Sequence, residues 1–187
     1  MRLFNTLTQS VELVRPTNNE VTLYVCGITP YDTTHLGHAF VNVVYDTLRR
    51  YLTWHGVPVR YVQNITDIDD DILRKSREVG LAWDELGLRE TRRYMRDLAQ
   101  LNVLPPEHYI RASSAIGQMI VLIEALLAKG YAYEREGWVY YDVSADPGFG
   151  SLAESSGIRG YSELLATANE RGNFPDDPRK KDPLDFV

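Results

Sequence analysis

Apolar and polar positions along the first half of the chain switch between two periods. Val21 to Cys26 (VTLYVC) is a short run of β-branched and aromatic residues, the composition of a buried strand. From Leu36 to Trp54 the period lengthens. Leu36, Phe40, Val43, Val44, Leu48, Tyr51 and Leu52 fall near helical spacing, and His55-Gly56 supplies the stop. Val57 to Val62 (VPVRYV) returns to a strand pattern. Strand, helix and strand in close succession predict a βαβ unit, hence a parallel pair and a right-handed crossover.

The remaining pattern is mostly helical. A helix to about Val79, another over Trp83 to Leu101 stopped by Pro105-Pro106, and a third over Ser113 to Lys129 are expected. Tyr131 to Glu134 and Trp138 to Val143 read as a β-hairpin turning at Glu136-Gly137, and Tyr161 to Glu170 as a short helix among loops. Leu3 to Thr8 and Val11 to Val14 predict a small hairpin ahead of the core. The closing Leu184 to Val187 reads as a strand end left to fray. The expected architecture is α/β. Residues 1–104 form a parallel nucleotide-binding half-domain, and residues 105–187 an insertion of helix, hairpin, short helix and tail.

Composition narrows the class. A chain of 187 residues with 44% apolar and 25% charged content suits a globular domain with a real core. No apolar run looks long enough to span a bilayer, so no membrane partner is expected. The lone cysteine excludes an internal disulfide and suits a reducing cytoplasm, the expected location. A net charge of −6 weighs against this chain gripping nucleic acid alone. Arg92-Arg93 and Arg179-Lys180-Lys181 read as solvated faces, and the aromatic residues from Tyr131 to Tyr141 as hairpin packing.

In open α/β sheets the loops at the carboxyl ends of parallel strands form the ligand crevice. Here they hold Gly27 to His35 and Asn64 to Asp67. His35-Leu36-Gly37-His38 lies where strand gives way to helix. Helix-terminal N–H groups favour anions there, glycine allows close approach, and two imidazoles three apart add donors facing one ligand. A capping histidine beside a surface histidine is the plainer alternative; a zinc pair is a rival that would need further ligands. Thr29 and Thr66 are crevice hydroxyls, or turn residues satisfying their own backbone. The acidic run Asp67, Asp69, Asp70, Asp71 fits helix capping better than magnesium. On its residues alone, Cys26 reads as a small buried hydrophobe.

The segments LYVCGITPYDTTHLGH (Leu23 to His38), YVQNITDIDDD (Tyr61 to Asp71) and KDPLDFV (Lys181 to Val187) resemble the N-terminal part of the cysteinyl-tRNA synthetases, a class I family. The resemblance implies a Rossmann-like half-domain with a HIGH-type motif, in which L-cysteine and ATP form cysteinyl adenylate and the cysteinyl group passes to tRNA(Cys). It implies catalytic and ATP-phosphate roles for His35 and His38, and room for adenosine at Gly37. Gly27, Thr29, Asn64 and Thr66 are then the expected substrate contacts. Mg2+ would accompany ATP, and Cys26 would be the first ligand of a Zn2+ that selects cysteine by its thiolate.

The sequence also departs from that family. It has no KMSKS lysine loop, no later zinc ligands and no anticodon-binding domain, and Val41 stands where threonine is frequent. The expectation is a partial catalytic centre whose C-terminal half is missing, with weak nucleotide affinity alone. Thr29-Pro30-Tyr31-Asp32 and Glu170-Arg171-Gly172-Asn173 resemble a close relative, the mycothiol-biosynthesis ligase that passes cysteine to glucosaminyl-inositol. An alternative of another class is a non-catalytic binding module, or a part that assembles with a second polypeptide.

Overall fold

The expected parallel pair is present and has a third strand. In the computed structural model, which describes residues 1–32 and 34–187, the elements are β1 (Arg2–Asn5), β2 (Ser10–Leu13), β3 (Val21–Ile28), α1 (Leu36–Trp54), β4 (Val59–Ile65), α2 (Asp70–Val79), α3 (Trp83–Gln100), β5 (His108–Arg111), α4 (Ala112–Lys129), β6 (Ala132–Arg135), β7 (Trp138–Tyr141), α5 (Ser151–Ser155) and α6 (Gly160–Glu170). Contacts divide the chain into two units. One comprises Met1 and Val14–Ile116, the other Arg2–Leu13 and Gly117–Val187. This division falls later than the expected boundary near Leu104, because β5 belongs to the parallel sheet.

In the first unit the strands lie in the order β3-β4-β5. Both pairings are parallel, from Val21 against Val59 to Ile65 against Arg111. Alternate residues of β4 (Val59, Tyr61, Gln63 and Ile65) are buried. Ile28 and Ile65 form the core with Tyr94 and Leu98 of α3, joined by Val103 and Tyr109. The opposite face is more open: Tyr24, Cys26 and Ile110 are exposed, and Asn64 is half-buried. Asp69 caps α2 by accepting from Asp71 N at 2.9 Å, and Gly80 ends it in the left-handed conformation. Asp69 thus does the capping work expected of the acidic run, with Asp70 and Asp71 in the first turn, whereas Asp67 is engaged elsewhere.

The sequence pattern misses β5 because four residues behind a Pro-Pro pair carry little periodicity. Side chains from α1 fix the approach to it. Asp46 accepts from Leu104 N, Arg50 donates to Asn102 O at 2.6 Å, and Arg49 donates to Pro105 O and Glu107. Glu107 in turn accepts from Tyr61 N. At the far end of β5, Asp67, 1% exposed, accepts from Arg111 Nε at 2.7 Å, Ser113 N at 2.9 Å and Ser113 Oγ at 2.6 Å. One carboxylate thus joins the β4 loop to the end of β5 and the start of α4.

In the second unit, β1 pairs with β2 and β6 with β7, each antiparallel. The β6–β7 turn falls at Glu136-Gly137, both at positive φ, and Tyr133 stacks on Tyr140 at 5.6 Å. The expectation of a frayed end is corrected. Asp185 is fully buried and accepts from Tyr133 OH, Val143 N and Asp182 N, while Tyr141 N donates to Phe186 O at 2.7 Å. A buried carboxylate with three donors holds the segment that hydrophobicity alone would leave loose.

A second correction concerns α4. Its 18 residues, of mean hydropathy 1.4 and none of them buried, are long and apolar enough to cross a membrane by length and composition. Gln118 and Glu124 interrupt the run, which is why the sequence pattern hid it.

Burial alone would raise the Asp67 pKa, but Ser113's hydroxyl and amide, then Arg111, outweigh it and hold the carboxyl below its usual range. Asp67→Ala is expected to cost on the order of 2–3 kcal/mol in urea denaturation, since it strands donors aimed at a charge. The wild-type advantage should be full at neutral pH and fade as pH falls through the depressed Asp67 pKa. A cost independent of pH would contradict this role.

Candidate active site

The crevice is built where β3 and β4 end. The register between them shifts between Val25 and Ile28, and Gly27 lies in that irregularity. A Cβ at Gly27 would sit 1.7 Å from Asn64 O, so only glycine permits the strands' close approach. Asn64 uses its side chain across the gap. Its Oδ1 accepts from Gly27 N at 2.7 Å and from Tyr24 OH at 3.1 Å, and its Nδ2 donates to Thr66 Oγ1 at 3.2 Å. Thr66 N donates to Ile28 O at 2.9 Å, lacing the two loops together. The structure therefore brings Gly27, Asn64 and Thr66 together, with Asn64 organising its neighbours. Thr29 is half-buried beside them in the same loop, between buried Ile28 and Pro30.

The start of α1 is closed by its two histidines. His35 is the N-cap: its Nδ1 accepts from Gly37 N at 3.1 Å, and His38 Nδ1 accepts from His35 N at 3.3 Å. The imidazoles stack with centroids 4.0 Å apart. This is a reciprocal capping box in which a second imidazole takes the place of the usual carboxylate. A nitrogen that accepts carries no proton in a neutral ring, so both rings are held with the proton on Nε2, pointing away from the backbone they cap. Gly37 is needed here, because a Cβ would stand 2.8 Å from the His35 ring. The capping alternative is thus realised for His35, and it leaves the outward nitrogens of both rings as donors.

Beside the rings lies a hollow of about 420 Å³, lined by Thr34, His35, His38 and, from α3, Tyr94, Asp97 and Leu98. Thr34 Oγ1 donates to Asp97 at 3.0 Å across its mouth. Behind the turn, Asn42 Nδ2 donates to His38 O at 2.8 Å, while Asn42 Oδ1 accepts from Tyr94 OH at 3.1 Å and Gln63 Nε2 at 3.3 Å. This buried support was not anticipated. The apolar spacing of α1 gives no signal of it: that spacing gathers Leu36, Phe40, Val43 and Val44 on one face, which is exposed, while Asn42 and Asp46 lie on the other face and are buried.

Cys26 is exposed and free on the open face of the sheet, not the buried hydrophobe its composition suggested. A tetrahedral zinc site needs three or four protein donors. Cys26 is the sole cysteine, and the described residues contain no group of three His, Cys, Asp or Glu placed to hold a metal. The donor set of this chain does not by itself fit the ion.

A parallel α/β sheet with a helix N-terminus at its carboxyl edge is the arrangement of class I synthetases, and comparison with known proteins agrees. The chain resembles the crystal structure of Mycobacterium tuberculosis methionyl-tRNA synthetase bound by methionyl-adenylate, with a TM-score of 0.59 at 14% identity over 83% of this chain and 36% of that one. The sequence profile of the tRNA synthetases class I (C) catalytic domain matches residues 12–187, and the chain belongs to that family. It is 46% identical to the cysteine–tRNA ligase of Thermosynechococcus vestitus, over 100% of this chain and 38% of the relative. It is also 44% identical to the L-cysteine:1D-myo-inositol 2-amino-2-deoxy-alpha-D-glucopyranoside ligase of Catenulispora acidiphila, over 88% of this chain and 38% of the relative. The chain spans about two-fifths of the length of these relatives.

Two measurements check the geometry. Gly27→Ala forces Cβ onto a backbone carbonyl, so the strand ends must part, and a loss of about 2 kcal/mol or more in denaturant is expected. An unchanged midpoint would show the strands to be further apart. For His38, burial and then the neighbouring His35 lower the pKa below the usual imidazole value. Because the unfolded chain binds the proton more readily, stability falls as pH drops from about 6.5 through the depressed value. The stability of wild type relative to His38→Asn should therefore shrink on acidification; a flat difference would contradict the assignment.

Proposed function

We propose that the protein activates L-cysteine with ATP to cysteinyl adenylate, releasing pyrophosphate, and that the cysteinyl group then passes to tRNA(Cys). The observation that carries this reading is the pair of imidazoles locked as outward Nε2–H donors at the start of a 19-residue helix. Adenylation needs no protein nucleophile. A cysteine carboxylate oxygen attacks the α-phosphorus in line, the bond to the pyrophosphate oxygen breaks, and negative charge grows on the phosphate oxygens. Neutral Nε2–H groups and the α1 N-terminal dipole stabilise that charge without first losing a proton. Mg2+ would enter bound to ATP and offset phosphate charge. Gly27, Thr29 and Thr66 would cradle the amino acid, with Asn64 holding Gly27 and Thr66 in place.

A second acceptor fits the same chemistry. Similarity to the Catenulispora ligase supports an amino sugar in place of tRNA, because only the acceptor differs after adenylate formation. Relatives of both kinds match nearly the whole of this chain, and the slightly higher identity to a cysteine–tRNA ligase, 46% against 42%, puts the tRNA reading first.

The test has two stages. ATP affinity by calorimetry should fall about tenfold or more in His35→Ala/His38→Ala, as two outward hydrogen bonds are lost, with the circular dichroism unchanged. Cysteine-dependent ATP–pyrophosphate exchange by a polypeptide of the relatives' full length should fall about 100- to 1,000-fold in the same variant. ATP affinity indifferent to both histidines would refute the proposal. Parallel acceptor assays with tRNA(Cys) and glucosaminyl-inositol then separate the two ligase readings.

A further inference from the structure

Helix α3 has two dissimilar sides. Tyr94 and Leu98 are buried in the core, and with Asp97 they line the hollow beside His35 and His38. The other side carries Arg89, Arg92, Arg93 and Arg96, which share an open groove of about 950 Å³. Their spacing of three and four residues puts the cations on one face, where like charges repel and weaken a helix. Arg89 is partly compensated by Glu90 at 2.8 Å, but Arg92, Arg93 and Arg96 form no ion pair with a described residue. The helix dipole does not account for them, since no basic residue falls in the last turn. Asp84 and Glu85 sit at the opposite end of the groove, in the first turn, leaving the Arg92–Arg96 end cationic on a chain of net charge −6.

A local reversal of sign that costs helix stability and has no internal partner calls for an external anion. Guanidinium forks suit phosphate. The row extends about 10 Å along the axis, long enough for successive phosphates of one strand, and it lies about one helix diameter from the histidine hollow. A strand seated on the row can therefore bring its end to the place where an adenylate would form. We infer that the α3 arginine row is the surface on which this protein seats the phosphate backbone of its RNA acceptor. The inference rests on the adenylating function proposed above and narrows its acceptor to RNA.

The test is fluorescence anisotropy of a labelled tRNA(Cys) transcript between about 50 and 200 mM salt. Wild type should show a steep fall of affinity with salt. Arg92→Gln/Arg93→Gln/Arg96→Gln should bind about tenfold more weakly at the low-salt end, with its log–log slope reduced by about 2. The corresponding triple lysine variant should keep the slope. ATP affinity, measured on the same preparations, should be unchanged in both variants, which shows the fold and the histidine site to be intact. Equal slopes for wild type and the glutamine variant would overturn the inference. So would equal affinity for a DNA duplex of the same length, which would mark the row as a general polyanion surface. Failure of wild type to bind ATP would instead sink the adenylating function, a result the salt slopes do not depend on.

Discussion

The close contact between Gly27 and Asn64 is the constraint on which the rest of the crevice depends. A parallel pair normally keeps its strands evenly apart. Here the register shifts at the very point where β3 must end, and the absent Cβ lets the backbones approach. The Asn64 amide then takes up the Gly27 N–H that the disturbed ladder leaves over, and passes a hydrogen bond on to Thr66. Both loops leave the sheet from this junction, so the separation of Thr29 and Thr66 is set by backbone contact and not by flexible side chains.

A second layer of polar contacts holds the helices against that junction. Asn42 reaches the His38 carbonyl, Tyr94 and Gln63, so α1, α3 and β4 meet in one buried network. Gln63 Oε1 and Tyr61 OH lie in the same interior without a hydrogen-bond partner among the described residues. Buried polar groups specify a unique arrangement at a cost in stability. That cost falls beneath the capped turn, where misplacing the imidazoles would matter most. Asp67 does comparable work for α4, and Asp185 for the segment after the hairpin.

Much of this was legible in the sequence because its signals are local. The apolar run of β3, the helical spacing through Leu52, the stop at Gly56 and the Glu136-Gly137 turn each depend on a few neighbouring residues. The meeting of Gly27 with Asn64 follows from topology once the parallel pair is granted. What escaped depends on distant partners. Strand β5 has four residues and is defined by its neighbour. Asp67 reads as one more acid in an acidic run until Ser113 and Arg111 arrive from another element. Asn64 reads as a ligand contact, yet its amide is committed to Gly27, Tyr24 and Thr66. The burial of Asp185 could not be seen in a tail that looked loose, and α4's apolar length was masked by Gln118 and Glu124.

The reciprocal cap at the start of α1 also decides what the histidine turn can attract. Each ring has committed one lone pair to a backbone amide, and its remaining nitrogen carries the proton. Neither imidazole therefore has an electron pair to spare for a transition metal unless a cap opens and a tautomer changes. Two adjacent histidines, often read as the beginnings of a chelate, are here wired in the opposite sense. They form a surface that accepts electron-rich oxygen and gives cations no foothold.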